Sequence, residues 1–146
     1  MAHDLIHRLA LRLIALLAVL SGLAFATPAQ AEPLDHVRKV FAELVHQHHR
    51  VDIHDGRPQP LLRAIVVMRI RLDEDFHWTA EVLRDKANEP EMTRKALLSI
   101  KDLPVPDSLS DEDAYELTHV GFVEAWLFEN NGRYCLKTLA KPQLGS

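Results

Sequence analysis

The stretch from Pro60 to Ala87, PLLRAIVVMRIRLDEDFHWTAEVLRDKA, constrains the fold most, because its apolar residues carry two periods that lead to different architectures. Leu61, Ile65, Met68, Leu72, Phe76, Thr79 and Leu83 recur every three or four residues, the spacing of one buried helical face. On that period the stretch is one long helix. Ala64 to Leu72 is also rich in β-branched residues, however, and Met68-Arg69-Ile70-Arg71-Leu72 alternates strictly, as a half-buried strand does. On that period a strand ends at Asp73, and Asp73-Glu74-Asp75 caps a shorter helix, since carboxylates in a first turn accept from its free N–H groups and complement its dipole.

A second ambiguity lies near the C-terminus. Val120 to Glu129 either extends a helix begun near Ser110 to a cap at Asn130-Asn131-Gly132, or forms the first arm of a hairpin. Asn131-Gly132 between two apolar runs suits a two-residue type I′ turn, which predicts a hairpin from about Phe122 to Leu139 pairing Phe128 with Cys135 and Leu127 with Leu136. A lone hairpin is marginal, so Ala64 to Leu72 is its natural third strand. The expected fold is therefore α+β, with three to four helices packed on a small antiparallel sheet that includes a C-terminal β-hairpin. An all-α four-helix arrangement is the alternative.

The remaining segments supply the helices. Leu34, Val37, Phe41, Leu44, Val45 and His48 form an apolar stripe within Pro33 to Val51, and Asp52 to Pro60, with Gly56, Pro58 and Pro60, reads as a turn-rich linker. A short helix is predicted over Glu91 to Lys101 through Met92, Ala96, Leu97 and Ile100. Pro104 and Pro106 then keep the chain extended, and Ser110 with Asp113 resembles a capping box that starts another helix.

Residues 1 to 31 read as a cleaved signal peptide. Arg8 and Arg12 precede an apolar block from Leu13 to Ala26, and Ala29-Gln30-Ala31 offers small residues for cleavage after Ala31. That block of 14 residues is shorter than the roughly 20 that a membrane span needs. Residues 32 to 146 are then expected to form a single small globular domain in the periplasm or outside the cell. Setting aside Arg8, Arg12 and Asp4 leaves 15 of the 17 basic and 20 of the 21 acidic residues, a net charge of −5. An acidic domain lacks the phosphate-neutralising excess that nonspecific nucleic-acid binding requires. Cys135 is the only cysteine, so no internal disulfide is available and packing alone must hold the domain.

Chemistry is sparse. His36, His46, His48, His49 and His54 fall within 19 residues, and on a helix His46 and His49 share a face one turn apart. His54 or Asp52 from the linker could complete a site for Zn²⁺, Ni²⁺ or Cu²⁺ through neutral imidazole nitrogens, although the spacing matches no established zinc pattern. Cations against the negative end of a helix dipole explain the same residues. Charge is also segregated. Between Lys101 and Arg133 stand eight acidic residues and no basic one, with Asp111, Glu112, Asp113 and Glu116 clustered as a candidate partner surface. Arg57, Arg63, Arg69 and Arg71 form the opposite run. The chain has no G-x-S-x-G, H-E-x-x-H, C-x-x-C or phosphate-cradling glycine loop, and a Cys135 with His119 pair is the lone nucleophile and base combination. An exported, non-catalytic protein-binding protein, such as an inhibitor, immunity or envelope accessory factor, is the leading expectation, with no cofactor. A periplasmic transition-metal-binding protein using His46, His49 and His54 is the alternative.

Overall fold

The computed structural model describes residues 33 to 142. The expected signal peptide, residues 1 to 31, and the expected cleavage after Ala31 lie outside the described residues. Helix α1 spans Asp35–His48, strand β1 Ala64–Leu72, strand β2 Trp78–Arg84, helix α2 Pro90–Leu98, helix α3 Asp111–His119, strand β3 Phe122–Phe128 and strand β4 Tyr134–Leu136. Short 3₁₀ turns cover Arg50–Asp52 and Lys137–Leu139. The four strands form one antiparallel sheet in the order β2-β1-β3-β4, so the fold is α+β and the all-α alternative is excluded.

Strand β1 lies at the centre because its alternation satisfies both faces of the sheet. Ala64, Val66, Met68, Ile70 and Leu72 are buried, while Ile65, Val67, Arg69 and Arg71 are half-buried on the other side. Val37, Phe41 and Val45 of α1, Met92 and Ala96 of α2 and Leu117 of α3 join the buried side in one cluster. Phe41 is its hub. Its ring meets Trp78, Phe122 and Trp126 edge-on, with centroids 5.1, 5.3 and 6.3 Å away. One polar chain crosses this core, in which the Trp126 indole donates to Ser99 Oγ at 2.9 Å and Ser99 donates to the Ala96 carbonyl at 2.7 Å.

Three local expectations need correction. The segment after Asp73 is not a helix. Asp73 Oδ1 accepts the N–H groups of Asp75 and His77 at 2.9 and 2.8 Å, and Phe76 takes φ 60°, so the carboxylate closes a reverse turn into β2. The C-terminal hairpin is present, but its register differs by one residue. Only Gly132 of the Asn131-Gly132 pair has positive φ, Gly132 N–H donates to the Glu129 carbonyl, and Glu129 N–H donates to the Arg133 carbonyl. That is a three-residue loop with a bulge at Gly132, and it pairs Phe128 with Tyr134 and Leu127 with Cys135. A one-residue shift exchanges faces, so Cys135 is buried opposite Leu127, outside the main core cluster. Finally, His48 is exposed rather than on the buried stripe, because the last turn of α1 runs past the core.

Ser110 and Asp113 do form the predicted capping box. The helix they start ends where Gly121 turns the chain into β3 with φ 72°, pressed against β1. No helix among the described residues is long and apolar enough to cross a membrane.

Candidate functional site

The histidine segment closes one edge of the sheet. Ile53 bridges Tyr134 of β4 in parallel fashion, His54 N–H donates to the Tyr134 carbonyl at 2.8 Å, and the Arg133 guanidinium donates to the Ile53 carbonyl. His54 Nδ1 stands 3.1 Å from Glu129 Oε2, whose carboxylate is 1 % exposed, and His54 Nε2 faces the Arg57 carbonyl at 3.2 Å. Both ring nitrogens of His54 are thus occupied by oxygen partners. His46 lines a separate cavity of about 320 Å³ with Gln47, Arg50, Ile53 and Asp55. Burial lowers the pKa of His46 against the opposing pull of Asp55, and its Nε2 has no hydrogen-bond partner among the described residues. His49 caps α1 through its backbone, donating to the Val45 carbonyl at 3.0 Å. Among the described residues no three His, Cys, Asp or Glu side chains gather in a metal-holding group.

The segregated charges partly meet inside the fold. Asp113 completes its capping box and stands 3.1 Å from His36 Nε2 of α1, and although its partial burial works the other way, those hydrogen bonds hold its pKa below the ordinary value. Asp111 and Glu112 are exposed at the start of α3, and Glu116 lines a cleft together with Arg69, Arg71 and His119. Arg63 pairs with Glu89 at 2.8 Å, Arg69 with Glu81 at 3.7 Å, and Arg71 Nε donates to the Val120 carbonyl. Arg57 is exposed. Cys135 and His119 do not form a nucleophile and base pair. The thiol is buried and its pKa is pushed up to about 11, whereas His119 stacks on Tyr115 with centroids 4.0 Å apart on exposed α3.

The opposite edge of the sheet is open. Asp73 N–H donates to the His77 carbonyl, which fixes the phase of the β1 and β2 ladder. With Arg71 opposite Thr79 and Arg69 opposite Glu81, the odd-numbered residues of β2 bond to β1, and Ala80 and Val82 direct their N–H and C=O groups outward. Among the described residues no other backbone group bonds to them. The side chains of Ala80 and Val82 lie on the helix-bearing face, opposite buried Ile70 and Met68. A groove of about 360 Å³ runs there between β2 and the end of α2, lined by Trp78, Ala80, Leu97, Leu98 and Ile100. Val82, Leu97 and Leu98 are 37, 40 and 55 % exposed. Arg94 and Lys101 flank the groove, and neither side chain makes a hydrogen bond or ion pair among the described residues.

The chain matches no family model, no curated protein and no solved structure. Its geometry therefore carries the functional reading. The open edge was legible in part: Trp78, Ala80 and Val82 alternate with Thr79 and Glu81. The helical period hid it, because Thr79 and Leu83 also continue the spacing that starts at Leu61.

Proposed function

We propose that this is an exported, non-catalytic binding protein that acts through protein–protein contact, and that β2 is the strand it offers to its partner. The observation that carries the reading is the inequality of the two sheet edges. An unpaired edge is a template for another strand, and folded proteins ordinarily cover or blunt it. Here β4 is covered by Ile53 and His54, while the outward groups of Ala80 and Val82 stand beside exposed Leu97 and Leu98. Backbone bonds along such an edge supply affinity and the adjoining groove supplies selectivity.

The test is crosslinking in the native host from photoreactive residues at Val82, Leu98 and, as a control, His48. A single protein adduct is expected at Val82 and Leu98 only, in the periplasmic or secreted fraction, from protein whose intact mass begins at Glu32. Equal labelling at all three positions would count against docking on β2, and retention of residues 1 to 31 in a membrane fraction would count against export.

Transition-metal binding stands as a second reading on one observation, the unpartnered Nε2 of His46 beside Asp55. A metal that binds the native state adds about 2.7 kcal/mol at a hundredfold excess over Kd, and the effect fades below about pH 6, where imidazoles protonate. Melting with Zn²⁺, Ni²⁺ or Cu²⁺ tests it in wild type and in a His46→Ala, His49→Ala variant. His54 is left intact because it pairs with buried Glu129.

A further inference from the structure

We infer that the occupant of the β2 edge is an extended segment of another protein that carries aliphatic side chains at alternate positions and a carboxylate at the groove. This rests on the docking reading above and specifies its partner. Three features of the site define the chemistry. The outward N–H and C=O groups of Ala80 and Val82 require a partner with an unpaired strand-like backbone, because only main chain supplies donors and acceptors at that repeat. The groove along Trp78, Ala80, Leu97, Leu98 and Ile100 is apolar and lies on one face, so it takes every second side chain of such a strand. The flanking cations Arg94 and Lys101 are uncommitted, unlike Arg63, Arg69 and Lys95, which have carboxylate partners. A segment ending in or containing Asp or Glu complements them.

A second copy of this chain fits less well, for a reason of charge. The register that sets Ala80 against Val82 of the copy places Glu81 beside Glu81, and like charges directly opposed destabilise a sheet. On the groove face β2 presents Trp78, Ala80 and Val82, none of which brings a carboxylate to Arg94 and Lys101.

The experiment titrates full-length mature protein with three capped, fluorescent peptides about seven residues long, matching β2. All share an alternating Val-Thr core, and they end in two Glu, two Gln or two Lys. The acidic peptide is expected to bind about tenfold more tightly than the neutral one at low salt, and to lose that advantage at roughly 0.5 M salt, where screening shortens the reach of charge to a few Å. Amide resonances of Ala80 and Val82 should shift on binding. Val82→Pro should abolish binding of all three, and the Arg94→Glu, Lys101→Glu variant should prefer the basic peptide. Equal affinity for the three peptides would overturn the acidic partner while leaving edge docking intact. Failure of all three to bind at millimolar concentration, with the mature protein a monomer by sedimentation, would overturn both this inference and the docking reading. A dimer that Val82→Pro dissociates would overturn the foreign segment in favour of a second copy.

Discussion

The two edges of this sheet solve the same problem in opposite ways. At β4, a three-residue strand is too short to bury its own edge, and the chain returns from α1 to cover it with a parallel bridge at Ile53, a backbone bond from His54 and a contact between the His54 imidazole and buried Glu129. At β2, a seven-residue strand is longer and paired to β1 except at a bulge at Leu83, yet the outward backbone groups of Ala80 and Val82 receive no bond among the described residues. Short edges need cover to exist, whereas a long edge held firmly from one side can stand open. The closed edge should therefore behave as structure, costly to disturb, and the open edge as surface, cheap to change and expensive only to binding.

The scale is set where neither edge is involved, at the seam between β1 and β3. Gly121 takes φ 72° there, and a Cβ would strike the Ile70 carbonyl oxygen and come within 2.6 Å of Arg71 Cγ. Gly121→Ala is expected to cost roughly 4 kcal/mol, from about 1–2 for the left-handed backbone and about 1–3 for the forced contact. Urea unfolding measures it. A loss below about 1 kcal/mol would mean that β3 does not lie against β1 as described.

The closed edge comes next. His54→Ala leaves Glu129, 1 % exposed, without the imidazole that faces it. Leaving a buried polar group without its partner costs about 1–3 kcal/mol, and because His54 itself is 27 % exposed and water can replace it, about 2 kcal/mol is expected. Hydrogen exchange at residue 54 should accelerate, since its N–H bond to Tyr134 holds the cover in place. If unfolding free energy and exchange are both unchanged, β4 is not protected by this segment and the contrast between the edges collapses.

How far the sequence discloses this contrast depends on period. Ala64 to Leu72 and the capping box at Ser110 could be read because each is a local pattern, alternation in one case and two side chains three apart in the other. The hairpin could be located but not registered, since Asn-Gly serves both a two-residue turn and a three-residue loop, and the bonds of Glu129 to Arg133 and Gly132 decide between them. The reversal at Asp73 was open to misreading because the same carboxylate caps a helix or closes a turn, and Phe76 at φ 60° carries no sequence signal. The cover over β4 was not legible at all. It depends on His54 meeting Glu129 across 75 residues, a contact that no local spacing encodes. The groove beside β2 was hidden likewise, for Leu97 sits on the predicted apolar face of its helix and yet is left 40 % exposed beside Trp78 and Ala80.

Between the edges, Glu124 offers a pH test of moderate size. Burial raises its pKa against the opposing hydrogen bonds of Thr138 and Ala125, and its Oε2 has no hydrogen-bond partner among the described residues. The folded state therefore holds a proton more tightly than the unfolded state, so stability falls as pH rises from the unfolded value near 4.5 through the raised folded value. Glu124→Gln cannot ionise and keeps an oxygen to accept from Ala125 and Thr138. It is expected to gain about 1 kcal/mol over wild type at pH 7.5 and nothing at pH 4, the size of one relieved polar atom. A variant whose deficit grows with pH would show that the charge is stabilised where it sits.

The smallest expected effect is the most informative about β2. A proline removes one N–H, so its cost depends on where that N–H points. Glu81 bonds toward β1, and Glu81→Pro should disrupt the sheet by about 3 kcal/mol or more, as proline does inside any ladder. Val82 directs its N–H outward, where no group of the described residues receives it, and its side chain is already 37 % exposed. Val82→Pro should therefore cost less than about 1 kcal/mol, mostly for trimmed packing and the narrower φ. Unfolding of the two variants side by side reads the phase of the ladder directly. If Val82→Pro is the worse of the pair, the bonding phase is reversed and Thr79 and Glu81, not Ala80 and Val82, carry the outward groups.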